Sequence, residues 1–210
     1  MTKSALLLAL ACLTVSATST TGATPLMAFA TSSGGTGDLH SWPEVAGTSL
    51  VGLAAADRVC AVHAQAAGLP NPASFVAWLS DSNDDAYCRM FGLHGKKANK
   101  CGQAVLPTGA GPWVRTDGMP FAAAIEFATA NNAIYSSLDI DESGQFASGE
   151  SFTATSKAGE YDTSFGASDC GGWQSDAVAP YAFVGDALIS AEGWTNSAIA
   201  ASCADERRLI

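Results

Sequence analysis

Twelve residues, Asp139-Ile-Asp-Glu-Ser-Gly-Gln-Phe-Ala-Ser-Gly-Glu150, carry the sharpest chemical spacing in the chain. They put Asp139, Asp141, Ser143, Gly144 and Glu150 at the first, third, fifth, sixth and twelfth positions of an EF-hand-type calcium loop, where oxygens close on a hard cation. Phe146 is unusual at the eighth position, and the flanks Ile134–Leu138 and Ser151–Thr155 read as extended. Without two helices such a loop loses the frame that makes its ligands converge, so turn chemistry competes with calcium as the cause of the spacing. A second oxygen-rich run, Ser80-Asp-Ser-Asn-Asp-Asp85, has the same two readings. It is either a cation site or a helix N-terminus with Ser80 or Ser82 as cap and carboxylates favoured by the helix dipole.

The other chemistry-bearing residues are sulfur and indole. Cys170 and Cys203 bracket an aromatic-rich, aperiodic segment containing Trp173 and Trp194. A disulfide across it would give that segment one shape, at about 3–4 kcal/mol. The two indoles would then either stack on a sugar or anchor a protein contact, or fill a core otherwise light in large side chains. Cys88 and Cys101 enclose a short basic excursion and read as a local disulfide; a zinc site with His94 lacks a fourth ligand. His40, His63 and His94 are scattered, and no His-Glu-x-x-His, Gly-x-Ser-x-Gly or phosphate-cradling glycine loop occurs.

Net charge is −10 over 210 residues, with no basic run longer than Lys96-Lys97 or Arg207-Arg208. Such a surface repels phosphate backbones, which argues against a nucleic-acid partner and against membrane binding by the folded domain. Length allows one domain plus a leader. Met1-Thr-Lys3 followed by Ala5–Ala11 has the charged start and short apolar run of an export signal. Cleavage before Cys12 would make a lipoprotein anchored there; cleavage within Val15–Ala23 would release a secreted protein. Residues 1–26 are therefore expected to be leader plus Ser/Thr-rich linker, and 27–210 the domain. The protein is expected outside the cytoplasm, as a secreted or cell-envelope lipoprotein.

Within the domain, Met27–Thr31 reads as a first strand and the residues from Ser49 to Gly68 as a helix, with apolar residues at three- and four-residue steps. Phe75–Leu79 reads as a strand. Gly111–Ala122 reads as a hairpin around Thr-Asp-Gly118, Ala123–Ala130 as a short helix, and Phe152–Thr155 as a strand.

The ordered series matters more than any one motif. A first strand ending in Thr-Ser and a Gly-rich loop precede the helix Leu53-Ala-Ala-Ala-Asp57-Arg-Val-Cys60. Phe75-Val-Ala-Trp-Leu-Ser-Asp81, Gly111-Pro-Trp-Val-Arg-Thr-Asp-Gly118 and Asp141-Glu-Ser-Gly144 follow, then Cys170-Gly-Gly-Trp173 and a late Cys203. This series resembles exported bacterial domains of unknown function with a C-type-lectin-like fold, related to the endostatin domain of collagens. The resemblance implies an α+β domain of short helices and small antiparallel sheets whose N- and C-terminal strands pair, with a long loop region stapled by Cys170–Cys203. It also implies a partner for Cys60 in the last strand, expected near or beyond Ile210; the alternative is that Cys60 is a buried free thiol. The Pro-centred triplets of calcium-dependent lectins do not occur, so the resemblance transfers the fold better than the ligand. It points to a non-enzymatic recognition domain for a glycan or protein at the cell surface, with no cofactor beyond the calcium candidate. An extracytoplasmic hydrolase and a structural envelope component are the alternatives.

Overall fold

The computed structural model describes residues 24–131, 133–189 and 191–210. Residues 1–23 of the expected leader and linker, Cys12 among them, lie outside the described residues, and Leu26, expected to end the linker, already belongs to the first strand. Over the described residues the fold is mixed α+β, with short helices, two three-stranded sheets and two disulfides.

The longest element is helix α1, Gly52–Ala66. Its stripe of Ala55, Ala56, Val59, Cys60, His63 and Ala64 is buried, as the spacing requires. The helix stops where Gly68 takes a left-handed conformation and the Leu69 amide turns back onto the Ala64 carbonyl at 2.9 Å. Two short helices follow, α2 (Ala86–Arg89) and α3 (Ile125–Ala130).

The first sheet joins β1 (Leu26–Ala28), β2 (Trp113–Arg115) and β3 (Pro120–Ala122) in that order. The expected hairpin is β2–β3, antiparallel with an irregular register at Trp113/Val114. β1 pairs with β2 in parallel, which departs from the expected all-antiparallel sheets. The second sheet is antiparallel: β4 (Glu150–Phe152), β5 (Tyr181–Asp186) and β6 (Ile199–Ser202). Phe75–Leu79 is extended without being a ladder strand; the Trp78 amide donates to the Ile210 carbonyl at 2.6 Å and the Ser80 amide to the Thr153 carbonyl at 3.0 Å.

Just beyond β1 the chain meets its C-terminal segment through an isolated bridge and not a strand ladder, which departs from the expected pairing of N- and C-terminal strands. Gly35 and Arg207 exchange amide-to-carbonyl bonds of 2.9 Å, and the Thr31 amide donates to the Leu209 carbonyl at 2.9 Å. A core beneath α1 holds Trp42, Phe152, Trp173, Val184 and Leu209. A second, against the first sheet, holds Trp78, Tyr87, Phe121, Leu138 and Trp194.

Both expected disulfides are present, Cys88–Cys101 and Cys170–Cys203. The first removes Cys88 and Cys101 from any zinc site. Cys60 is a buried free thiol, its pKa driven far up chiefly by burial; among the described residues it has no disulfide partner. Disulfides persist in oxidising compartments, which accords with an extracytoplasmic setting. No helix among the described residues is long and apolar enough to cross a membrane.

The Cys170–Cys203 bond closes onto an unusual piece of backbone. Cys170, Gly171, Gly172 and Trp173 all have positive φ, from +51° to +72°, and form one left-handed turn. Glycine adopts this freely, but each L-residue in a left-handed helical turn costs roughly 1–2 kcal/mol. Compensation comes from the buried Trp173, from the Asp169 carboxylate accepting the Gly172 amide at 2.9 Å, and from the disulfide. Gly37 lies against the bond so tightly that a methyl group there would sit 2.7 Å from Cys170 Sγ. The Cys203→Ser variant is expected to lose about 3–4 kcal/mol of unfolding free energy, from the loop of sequence separation 33 that the bond closes. Equilibrium urea unfolding measures it, and a loss under about 1 kcal/mol would mean the turn is held without the bond.

Candidate functional site

Trp173 and Trp194 do not face a ligand. Trp173 is fully buried, its indole N–H donates to the Ser80 carbonyl at 2.9 Å, and its ring meets Phe152 at 5.6 Å. Trp194 is 1 % exposed and packs between Trp78 and Phe121, at 5.0 and 5.2 Å. A core light in large aliphatics takes both rings, so of the two readings core filling holds and neither ring face is open to a sugar or protein.

The oxygen-rich loops are built by turn chemistry. Asp139 pairs with Arg115 Nη1 at 2.6 Å, and Glu150 with Arg207 Nε at 2.9 Å. Asp141 Oδ1 accepts the amides of Ser143 at 2.8 Å and Gln145 at 2.9 Å, and Ile140 bridges to Phe146. Asp139, Asp141 and Glu150 thus turn to three separate partners, and with Ser143 they are not drawn onto one point. In the other run, Asp81 Oδ1 accepts the amides of Asn83 and Asp84, both at 2.7 Å. Ser80 Oγ accepts the first amide of α2, from Ala86, at 2.9 Å. That is the helix-start reading, with Ser80 reaching the helix from six residues upstream. Among the described residues no three acidic, histidine or cysteine side chains converge as metal ligands would.

What sequence spacing did not show is the surrounding of His63. Its Nδ1 lies 2.9 Å from Glu142 Oε1; its Nε2 lies 2.9 Å from Ser33 Oγ and 3.1 Å from Glu44 Oε1. Glu142 is fixed in turn by the Ser32 amide at 2.9 Å and by the Ser32 hydroxyl. Serine, histidine and carboxylate in this order are the parts of a hydrolytic triad. One contact speaks against that use. Glu44 Oε1 is 3.1 Å from both His63 Nε2 and Ser33 Oγ, in the space a substrate carbonyl would need. The cluster ties the loop after β1, the turn at Pro43–Val45, α1 and the 139–150 loop together.

An open groove lies against the second sheet. Phe183 of β5 floors a groove of about 380 Å³ between Ser156–Phe165 and Asn196–Ala198. Phe165 stands at its lip, fully exposed, on a left-handed backbone with φ +56°. For a bulky residue that conformation is an outlier, and such outliers gather at binding sites. Deeper in the groove Asn196 Nδ2 donates to Asp162 Oδ2 at 3.0 Å and to the Thr155 carbonyl at 3.3 Å. The groove therefore offers an apolar ring face beside a fixed carboxylate–carboxamide pair. Nothing in the local sequence marked Phe165 except its place in a Gly-rich stretch.

No known family model matches the chain, and no curated protein matches it.

Glu142 supplies a pH test of the His63 cluster. Burial would raise its pKa, but the Ser32 and His63 hydrogen bonds outweigh this and hold it below the ordinary 4.5. A carboxylate depressed by folding stabilises the native state above the unfolded pKa and loses that contribution as pH falls through the folded value. Glu142→Gln is expected to cost about 1–3 kcal/mol at pH 7. Its stability should also fall less steeply than the wild type's below about pH 4.5. Denaturant titrations at a series of pH values would refute the lock if the two curves run parallel.

Proposed function

We propose that the chain is an exported, non-enzymatic recognition domain of C-type-lectin-like architecture that binds a glycan or a protein through the groove at Phe165. The single observation that carries this is the fully exposed Phe165 ring on a strained backbone at the mouth of an open groove. Neither the exposure nor the strain helps the chain fold; a ligand stacked on the ring would offset both. The Asp162–Asn196 pair beside it suits the hydroxyls of a sugar ring, since a carboxylate accepts and a carboxamide both donates and accepts. The reading needs no cofactor, and the carboxylates of the 139–150 loop are already engaged. The acidic surface disfavours nucleic acid. The two disulfides fit a secreted protein or a lipoprotein tethered through Cys12.

A second reading, an extracytoplasmic hydrolase, has one observation in its favour: Ser33, His63 and Glu142 stand in hydrogen-bonded series. The two readings separate cleanly. A fluorophosphonate probe is expected to leave Ser33 unlabelled, because Glu44 crowds the attacking oxygen; labelling lost in Ser33→Ala would establish the hydrolase.

For the recognition reading, the protein is screened on a glycan array and against extracellular proteins, in calcium and again in EDTA. Binding is expected to persist in EDTA, and Phe165→Ala should weaken it about tenfold or more without lowering the melting temperature. A variant that binds as the wild type does would remove the groove from the function.

A further inference from the structure

A second cavity is independent of the groove. Between β1 and the extended segment 74–78 the packing is incomplete, leaving an inner chamber of about 50 Å³ and an outer one of about 90 Å³. The inner chamber reaches Phe29, Trp78, Phe121, Leu138 and Trp194. The outer one opens past Leu26, Ser74 and Val76. Both are bounded by Met27, Phe75, Val76, Met90 and Trp113, so the two chambers adjoin as a slot between the surface and the second core, divided only by these side chains. Protein interiors seldom keep voids larger than a water molecule, and each unfilled void forfeits contacts. Apolar cavities of about 150 Å³, the size the two chambers approach together, stay dry and accept benzene.

We propose that this slot binds the alkyl chain of a neutral, single-chain amphiphile, with the chain inside and the head at Ser74. Shape and charge both select that class. Chambers of about 50 and 90 Å³ are each too small for a fused ring system, whereas a linear chain can occupy them in turn. The two methionines that bound both chambers are unbranched and adjust to a flexible guest. No side chain lining either chamber is ionisable, and the chain as a whole carries a net charge of −10. An anionic head would meet repulsion from that net charge, and a cationic one would find no carboxylate side chain among the residues lining the outer chamber. The exposed Ser74 hydroxyl, which already donates to the Asn71 carbonyl at 2.8 Å, keeps its lone pairs for a hydroxyl on the guest.

Trp78, Trp113 and Trp194 line the slot, so the protein reports on its own occupancy. The full chain is titrated with 1-octanol and with sodium octanoate, following tryptophan emission and melting temperature. Octanol is expected to shift the emission saturably and raise the melting temperature, with octanoate weaker by about tenfold or more. Ala28→Leu, which fills the inner chamber, and Val76→Lys, which puts a charge at the rim, should each weaken octanol by about tenfold or more while still melting cooperatively. Val76 is partly exposed, so its variant stays informative if the larger side chain in place of Ala28 disrupts packing. No saturable response in the wild type overturns the proposal, as does an undiminished response in either folded variant. Equal affinity for octanoate overturns the neutral-head assignment.

Discussion

The structure depends on how its backbone amides are satisfied. Its strands run only three to six residues and its helices, α1 apart, barely exceed a turn, so ladders and helical bonds cover little of the chain. Buried amides without partners are costly, and side chains must supply what secondary structure does not. Carboxylates fill this role. Asp85 accepts the amides of Lys97 and Tyr161, at 2.7 and 2.8 Å, joining three segments that are separate in sequence. Asp169 accepts those of Ser82 and Gly172, and Asp57 that of Ala77. Charged acceptors make stronger bonds than neutral ones. The acidity that looked like an invitation to cations is in good part the scaffolding of loops.

Indole groups do the same work from inside. The N–H of Trp42 donates to the Thr36 carbonyl, that of Trp78 to Thr195 Oγ1, that of Trp113 to the Ala110 carbonyl and that of Trp173 to the Ser80 carbonyl. Each ring fills volume that alanine and glycine leave empty, while its edge fixes a loop. Between the sheets a run of hydroxyls continues the pattern: Ser80 to Thr155, Thr155 to the Thr153 carbonyl, and Thr153 to the Thr195 carbonyl. Buried polar chains of this kind specify one arrangement because a misfit would strand a donor.

Legibility followed the range of each interaction. α1, the β2–β3 hairpin and the Cys88–Cys101 bond could be read because period, turn type and short spacing are local signals. The pairing of β1 with β2 is parallel and spans the whole of α1, and no local pattern encodes it. The His63 cluster escaped for the same reason: Ser33 and Glu142 lie 30 and 79 positions from the histidine. Asp139–Glu150 left two readings open, calcium loop or turn, and turn chemistry is the one its hydrogen bonds match. Alternating acids serve a calcium loop and an Asx turn alike, and only the flanking elements separate the two. For Trp173 and Trp194 the sequence left ligand contact and core filling both open, and burial decides for the core. Among the described residues Phe165 is the aromatic ring left fully exposed.

That residue also shows why irregular structure need not mean a loose site. The loop carrying Phe165 is pinned along its length: the Ser156 amide to the Glu160 carbonyl at 2.7 Å, Tyr161 to Asp85, Asp162 to the Ala154 carbonyl at 3.0 Å, and Ser168 to the Tyr181 carbonyl at 2.7 Å. Asn196 then ties the 162 position across to the segment before β6. A ligand meeting this loop would have little backbone left to order, and ordering is a main cost of association. The carboxylates that replace missing ladders therefore also prepare the groove. Asp162 takes part in both, accepting the Ser164 amide at 2.9 Å through one oxygen and the Asn196 amide group through the other. Removing its charge would loosen the turn beneath Phe165 together with the polar pair beside it, so the surface proposed for recognition rests on the same bonds as the scaffold.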